Sequence, residues 1–202
     1  MIEYILNTDK EFFLLINNGL ANPFLDWLCP WLRKQEIWYP LYALIVYFII
    51  RMYKKESWKI LLAGALMILG TDQFSANLVK NTFMRLRPCN EPSLAGQVRH
   101  LIESCNGYSF ISAHATNHFA IAVFVICYFK SYSVYITPIA LLWASSIIFS
   151  QVYVGVHYPL DVIVGGLTGS LFGYAFAKYS LKYIKIVEKR QNHQDTKGTK
   201  FH

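Results

Sequence analysis

Charged side chains are scarce in this chain of 202 residues: Asp, Glu, Lys and Arg make up only 15% of it, against about 25% in soluble domains. Hydrophobic residues make up 54%, which excludes disordered, collagen-like and coiled-coil chains and disfavours an ordinary soluble enzyme. The few charges are mostly basic and give a net charge of +7. In so apolar a chain, a basic excess is more typical of loops at an anionic membrane face than of nucleic-acid binding. We therefore expect a membrane bilayer as partner and no nucleic acid.

Apolar runs account for most of the sequence. About 20 apolar residues are needed to cross a hydrocarbon core of about 30 Å as a helix. Five segments approach or exceed that length, namely 37–53, 58–79, 112–129, 132 to about 154, and 161–184. The sequence therefore predicts an all-α, polytopic membrane helix bundle with about five transmembrane helices. Residues 37–184 form its transmembrane domain, and the polar, basic segment 185–202 is predicted to be a disordered tail.

The N-terminal segment, 1–36, is apolar but interrupted. Turn signals at Asn17-Asn18-Gly19 and Asn22-Pro23 break the apolar stretch Phe12–Leu32. We therefore predict a domain of two short interfacial helices, with a sixth transmembrane helix as the alternative. The segment lacks the basic start and the small-residue cleavage site of a signal peptide, so we do not expect it to be removed.

The distribution of Lys and Arg predicts the orientation of the chain. The loop 51–59, Lys130 and the segment from Lys178 onward hold 12 of the 19 Lys and Arg residues, which places the C-terminus in the cytoplasm of a cell (inner) membrane protein. Four of the seven remaining cations, Lys80, Arg85, Arg87 and Arg99, crowd the opposite, periplasmic side in one loop. They contact lipid headgroups or bind an anion.

Other polar residues lie at the same outer ends of the predicted spans. They include the face formed by Gln73, Asn77 and Lys80 with Asp72 beside it, then Arg87, Ser112, His114, His118, Gln151, His157 and Asp161. Polar groups in membrane helices are costly and usually face the bundle interior. Under the predicted topology these side chains converge at one membrane depth, at the outer face.

This set of side chains suits phosphoryl transfer. Lys and Arg bind phosphate oxygens, and a helix beginning at Ser112 presents free backbone N–H groups to an anion. A neutral His157 can attack phosphorus if a carboxylate fixes its tautomer, and Asp161 follows four residues later. His114 would then be the general acid on the leaving oxygen and later the base on water.

Three motifs in this region resemble the signature of the type 2 phosphatidic acid phosphatases, a superfamily that includes vanadium haloperoxidases. Lys80-NTFMRL-Arg87-Pro88 has the spacing of the first motif, Lys, six residues, Arg-Pro. Ile111-Ser112-Ala113-His114 corresponds to the second, Pro-Ser-Gly-His. Ser150-Gln151-VYVGV-His157-YPL-Asp161 corresponds to the third, Ser-Arg, five residues, His, three residues, Asp. The resemblance covers roughly residues 72–182.

The resemblance implies an integral membrane phosphatase that acts on a lipid phosphate at the outer face. In that family His157 would form a phosphohistidine, Asp161 would orient it, and His114 would be the acid and base. Lys80, Arg87, Ser112 and the Ala113 amide would hold the phosphate, with no metal or other cofactor required. Gln151 departs from the pattern because it stands where the family has an arginine; Arg85 is the expected substitute and Arg99 the less favoured one.

The substrate is the least determined part of this interpretation. The chain is similar to undecaprenyl-diphosphate phosphatases, and we favour undecaprenyl diphosphate. Phosphatidylglycerophosphate, phosphatidate and lipid A phosphate are the alternatives. A membrane transporter is the alternative of a different class, although the polar groups lie at one face rather than at the midplane.

Further features carry secondary expectations. Gly165, Gly169 and Gly173 form a small-residue stripe, for packing inside the bundle or, less favoured, a homodimer. His114 and His118 have the spacing of a metal pair but no evident third ligand. Cys89 and Cys105 are expected to form a disulfide on the oxidising side.

Overall fold

The computed structural model describes residues 1–103 and 105–198, with side chains as far as Ile184. The described part contains helices and loops and no strand, as an all-α chain predicts. Its eight α-helices are α1 (Ile2–Leu14), α2 (Pro23–Leu32), α3 (Tyr39–Tyr53), α4 (Ser57–Asp72), α5 (Lys80–Phe83), α6 (Ala113–Phe129), α7 (Ile136–Tyr153) and α8 (Pro159–Gly198). The backbone of the tail that was predicted to be disordered, 185–202, continues α8 as far as Gly198, and residues 199–202 lie outside the described part.

Two of these helices have the length and apolarity of a membrane span. They are α7, with 18 residues, and the part of α8 from Pro159 to Ile184, with 26. Helix α6 is apolar but shorter, and α3 and α4 have 15 and 16 residues. The architecture is that of a membrane helix bundle, while the count of five spans remains a prediction.

The N-terminal segment forms two helices, as the turn signals predict. A π-helical turn, Leu15–Gly19, ends the first helix. The Asn22 side chain then accepts a hydrogen bond from the Leu25 N–H at 2.9 Å, and Pro23 occupies the first helical position. Asn17 is fully buried, and its amide donates to the backbone oxygens of Arg99 and Tyr153 at 2.9 and 2.7 Å. The N-terminal segment is therefore hydrogen-bonded to the loop 84–112, at Arg99, and to the end of α7, at Tyr153.

The connection from α4 to the loop at 84–112 is not a regular α-helix. A π-helical stretch, Gln73–Val79, lies between α4 and α5. Within this wider turn Gln73 and Asn77 still share a face, as predicted, because the Asn77 amide donates to Gln73 Oε1 at 2.5 Å. Met84 then takes a left-handed conformation, with φ of 45°, which ends the helix and directs the chain toward Arg85.

The glycine stripe of α8 packs against α6 of the same chain. A Cβ added at Gly169 would lie 2.0 Å from the Thr116 carbonyl oxygen, and one at Gly173 would lie 2.4 Å from the Ala120 oxygen. The absence of side chains lets the two backbones approach this closely. The stripe of Gly165, Gly169 and Gly173 therefore lies against α6 within the bundle, which is the favoured of the two expectations for it.

A disulfide joins Cys89 and Cys105 in the loop 84–112, which confirms the expected pairing. It closes a loop with a sequence separation of 16 residues beside Arg87. A cross-link of this span contributes roughly 3 kcal/mol in the chain-entropy model. His100 lies near both sulfur atoms, but bridged sulfurs are not thiolate ligands for a metal.

Candidate active site

His157 and Asp161 form a buried pair where the loop after α7 enters α8. Their side chains are 3% and 0% exposed, and His157 Nδ1 lies 3.5 Å from Asp161 Oδ2. The same oxygen accepts hydrogen bonds from the Tyr158 N–H at 2.9 Å and from the Ser109 hydroxyl. Because a carboxylate faces Nδ1, the proton of the neutral ring belongs there, and Nε2 keeps the lone pair of a nucleophile.

Arg85 is an ion-pair partner of two carboxylates, not an open phosphate ligand. Its terminal nitrogens donate to Asp161 Oδ1 and Asp9 Oδ2, each at 2.7 Å, and its guanidinium carbon lies 3.8 Å from the centre of the Tyr158 ring. Asp9 also accepts the Leu160 N–H at 2.8 Å. This network holds the Asp161 carboxylate in place and argues against Arg85 as the substitute for the missing arginine.

Arg99, the other candidate substitute, is also occupied elsewhere. Its guanidinium donates to both carboxylate oxygens of Asp26 at 2.7 Å and to the Asn17 backbone oxygen at 2.8 Å. These contacts join the loop 84–112 to the N-terminal segment. They give Arg99 a structural role.

Lys80 and Arg87, in contrast, have no carboxylate partner in the part of the chain with described side chains. Both are half-buried. Burial lowers the pKa of the Lys80 ammonium, and the nearby Arg87 charge lowers this pKa further. The Arg87 Nε–H donates to the Gly107 carbonyl at 3.3 Å, which leaves its terminal nitrogens for a ligand. Two desolvated cations without an anion form a natural phosphate site.

The N-terminus of α6 faces the same loop region. The Ser112 side chain accepts the Ala115 N–H at 3.3 Å and caps the helix, while the Ser112 backbone N–H donates to the Asp161 backbone oxygen at 3.2 Å. Helix α6 is thereby tied to the start of α8. The next amides, beginning with Ala113, belong to the first turn, whose N–H groups lack helical partners.

Gln151 is fully buried, and neither its amide oxygen nor its amide nitrogen has a hydrogen-bond partner. Its backbone oxygen accepts the His157 N–H at 3.3 Å, so the residue adjoins the nucleophile. Leaving a buried amide unpaired costs about 1–3 kcal/mol per group. Such an amide in a catalytic centre indicates a place where a ligand completes the hydrogen bonding.

His114 lies at the end of a cavity of about 420 Å³ between α3, α4 and α6. His118, one turn further along α6, has both ring nitrogens engaged: Nδ1 donates to the His114 backbone oxygen at 2.8 Å, and Nε2 lies 3.1 Å from the Tyr42 hydroxyl. The expected metal-pair alternative for His114 and His118 is disfavoured because His118 has no free nitrogen.

The cavity is mostly apolar. Its polar end includes His114, Asn117 and Asp72, and its far end includes Ile49 and Ile60. From Asp72 to Ile60 it follows about 18 Å of α4, at 1.5 Å per residue. A groove of this kind suits the hydrocarbon chain of an amphiphile whose headgroup lies at His114.

Sequence reasoning missed two residues that support the site. Asp9 belongs to the segment interpreted only as interfacial, although an acidic residue buried at 7% exposure signals a paired role. Ser109 gave no signal in the sequence. It reaches Asp161 because the Ser109 N–H donates to the Arg85 backbone oxygen at 2.8 Å.

The burial of His157 predicts how stability depends on pH. Burial lowers the pKa of His157 to about 4, although Asp161 opposes the shift. Between about pH 6.5 and 4 the unfolded chain binds a proton that the folded chain does not. The free energy of unfolding therefore decreases as the pH is lowered through this range. We expect a loss of about 2 kcal/mol from this residue between pH 7 and 5. Thermal unfolding in detergent should therefore show a smaller acid-induced drop for His157→Gln than for the wild type, and equal drops would contradict this.

Comparisons with known proteins indicate the family of this chain. The family model described as "PAP2 superfamily" matches residues 58–185. Lipid A 4'-phosphatases of Bacteroides thetaiotaomicron and Porphyromonas gingivalis are 32% and 31% identical, over 87% and 89% of this chain and 78% and 76% of theirs. An undecaprenyl-diphosphatase of Sulfolobus acidocaldarius is 28% identical over 85% of this chain and 78% of its own.

Two solved structures have a similar fold. The crystal structure of Aquifex aeolicus LpxE has a TM-score of 0.63 and 29% identity, and the match covers 84% of this chain and 94% of that one. A transmembrane PAP2-type phosphatidylglycerolphosphate phosphatase from Bacillus subtilis has a TM-score of 0.68 and 18% identity, with 89% and 87% covered. The second likeness concerns the fold alone.

Proposed function

This chain belongs to the PAP2 superfamily and is a lipid phosphatase, and we propose that it hydrolyses a phosphate monoester of lipid A at the outer face of the inner membrane. One observation carries the chemistry: the buried His157–Asp161 pair lies within electrostatic range of Lys80 and Arg87, which have no carboxylate partner among the described side chains. The substrate is supported by the two lipid A 4'-phosphatases among its relatives. The orientation, with the C-terminus in the cytoplasm, continues to depend on the charge distribution.

The reaction proceeds in two displacements. His157 Nε2 attacks phosphorus, the bond between phosphorus and the lipid oxygen breaks, and His114 gives its proton to that oxygen. Water then attacks the phosphohistidine, His114 takes the water proton, and the bond between phosphorus and nitrogen breaks to release inorganic phosphate. Asp161 stabilises the positive imidazole through Nδ1–H.

Lys80, Arg87 and the first amides of α6 hold the phosphate oxygens during both displacements. Their positive charge stabilises the negative charge of the transition state. A metal ion is not needed for this purpose, so we expect turnover without a divalent cation.

Undecaprenyl diphosphate, which the sequence alone favours, becomes the second candidate. The archaeal undecaprenyl-diphosphatase supports it, but at 28% identity against 32% and 31% for the lipid A enzymes. A single apolar groove could accommodate part of either lipid. The distinction therefore depends on the headgroup.

Phosphate release by the purified protein tests the proposal. We expect kcat/KM on lipid A to exceed that on undecaprenyl diphosphate, phosphatidylglycerophosphate and phosphatidate by about tenfold. The rate should be unchanged in EDTA. A preference for undecaprenyl diphosphate would overturn the substrate, and activity lost in EDTA and restored by zinc or magnesium would overturn the metal-free mechanism. Release from none of these lipids would overturn the proposed function itself.

A further inference from the structure

Arg33 lies immediately after α2 and has no place in the family motifs. Its side chain is half-buried, and its Nε–H is buried without any hydrogen-bond partner. It forms no ion pair with a carboxylate among the residues whose side chains are described. A guanidinium in this condition is costly unless a ligand completes its bonding.

The neighbours of Arg33 on the chain place it beside the phosphate site. Cys29, one turn earlier on α2, is fully buried and packs in one cluster with Tyr153 and Val154, just after Gln151. Gln35, two residues after Arg33, lines the cavity together with Ala113 and His114. Arg33 therefore lies between the start of α6 and the segment that carries Gln151.

The charges around Arg33 are of its own sign. Burial lowers the pKa of the Arg33 guanidinium, and the nearby Arg87 charge lowers this pKa further. Arg33 is also within electrostatic range of the His114 ring. Lys80, Arg87 and Arg33 thus gather three partly desolvated cations around His114 and His157, where a phosphate dianion would offset their repulsion.

We propose that Arg33 is the phosphate-binding guanidinium of this enzyme and replaces, from α2, the arginine that the family carries at the position of Gln151. The unpaired Gln151 amide would donate a neutral hydrogen bond to the same phosphate. Relative to the family pattern, one phosphate-binding cation is then supplied from the end of α2 and not from α7. The number of cations around the phosphate stays the same. This inference rests on the proposed function only in taking the bound group to be a phosphate.

Two measurements on Arg33→Ala test the inference. The first is the affinity for inorganic phosphate, from the rise in thermal midpoint during a phosphate titration, which needs no turnover. The second is kcat/KM on a lipid phosphate. We expect both to weaken at least tenfold, which corresponds to about 1.4 kcal/mol. Lys34→Ala is the matched control, because Lys34 is the adjacent exposed cation, held over the Trp31 ring, and it should change either value less than twofold.

A second variant separates a phosphate contact from a purely structural role. In the Arg33→Ala background, Gln151→Arg should recover at least part of the lost phosphate affinity, because it places a guanidinium of α7 at the phosphate site. Should Arg33→Ala fail to fold, Arg33→Lys and Arg33→Gln replace it. Because lysine keeps the positive charge, Arg33→Lys should bind phosphate more tightly than Arg33→Gln. Unchanged phosphate affinity in every folded Arg33 variant would overturn the inference. Normal phosphate affinity in a wild type that hydrolyses no lipid would instead count against the proposed function.

Discussion

His157→Ala is expected to lower the rate of phosphate release by roughly 10³-fold or more, because it removes the nucleophile and not a binding contact. The neutral imidazole is buried beside Asp161, with Nδ1 held by the carboxylate. Without the His157 ring, water would have to attack the lipid phosphate directly. Initial rates on a lipid phosphate, measured with protein of matched thermal midpoint, check the effect.

Lys178→Ala is the control for this variant, because Lys178 is exposed and lies about 25 Å along α8 from Asp161, at 1.5 Å per residue. It should retain wild-type kcat/KM. The covalent intermediate gives a second measurement. With a radioactive phosphate ester whose leaving group needs no protonation, His114→Ala should slow only the second displacement, so label should accumulate on the protein. That label should be lost in acid and absent from the double variant with His157→Ala. Label that persists without His157 would contradict the assignment of the nucleophile.

Gly169→Ala should destabilise the bundle by more than about 3 kcal/mol, at or above the upper end of ordinary overpacking. Its new Cβ would lie 2.0 Å from the Thr116 carbonyl oxygen and 2.8 Å from the Thr116 carbonyl carbon. Both atoms are backbone of α6, so no side-chain rotation relieves the overlap, and α6 and α8 have to separate. We expect a sharply lower thermal midpoint in detergent and a lower yield of folded protein.

Gly64→Ala provides the matched control in another helix of the bundle. A Cβ there would lie 3.7 Å from the Phe124 ring, which is ordinary contact, and alanine is the better helix former. Its thermal midpoint should equal or exceed that of the wild type. Because α6 carries His114 and α8 carries Asp161, any folded Gly169→Ala protein should also lose activity. A Gly169→Ala protein as stable and active as Gly64→Ala would contradict the described packing of α6 on α8.

Much of the catalytic pair was readable from the sequence, because local spacing determines it. His157 and Asp161 are separated by one helical turn, with Pro159 at the first position of α8, so few backbone conformations keep them apart. The break between α1 and α2 was equally local, since Asn22 and Pro23 favour a helix start wherever they occur. Hydropathy alone indicated the helical membrane class.

Long-range contacts decided the rest. Arg85 was expected to hold phosphate, yet it pairs with Asp161 and with Asp9, each 76 residues away in the chain. The glycine stripe of α8 is compatible in sequence with a contact inside the bundle, which was favoured, and with a dimer contact. The position of α6 shows that the stripe packs inside the bundle. A buried charge takes the partner that three-dimensional packing brings within 3 Å, and composition contains no record of that partner.

The sequence by itself therefore determined the class of chemistry: a helical membrane protein with a histidine–aspartate pair and cations at one face, since hydropathy and helix periodicity act over neighbouring residues. Only the tertiary structure decided which cation does what. It assigned Arg85 to the Asp161 carboxylate and Arg99 to Asp26, and it left the buried Nε–H of Arg33 and the amide of Gln151 without a hydrogen-bond partner among the described residues. The physical reason is that electrostatic pairing depends on distance through space, which the fold sets, and not on distance along the chain.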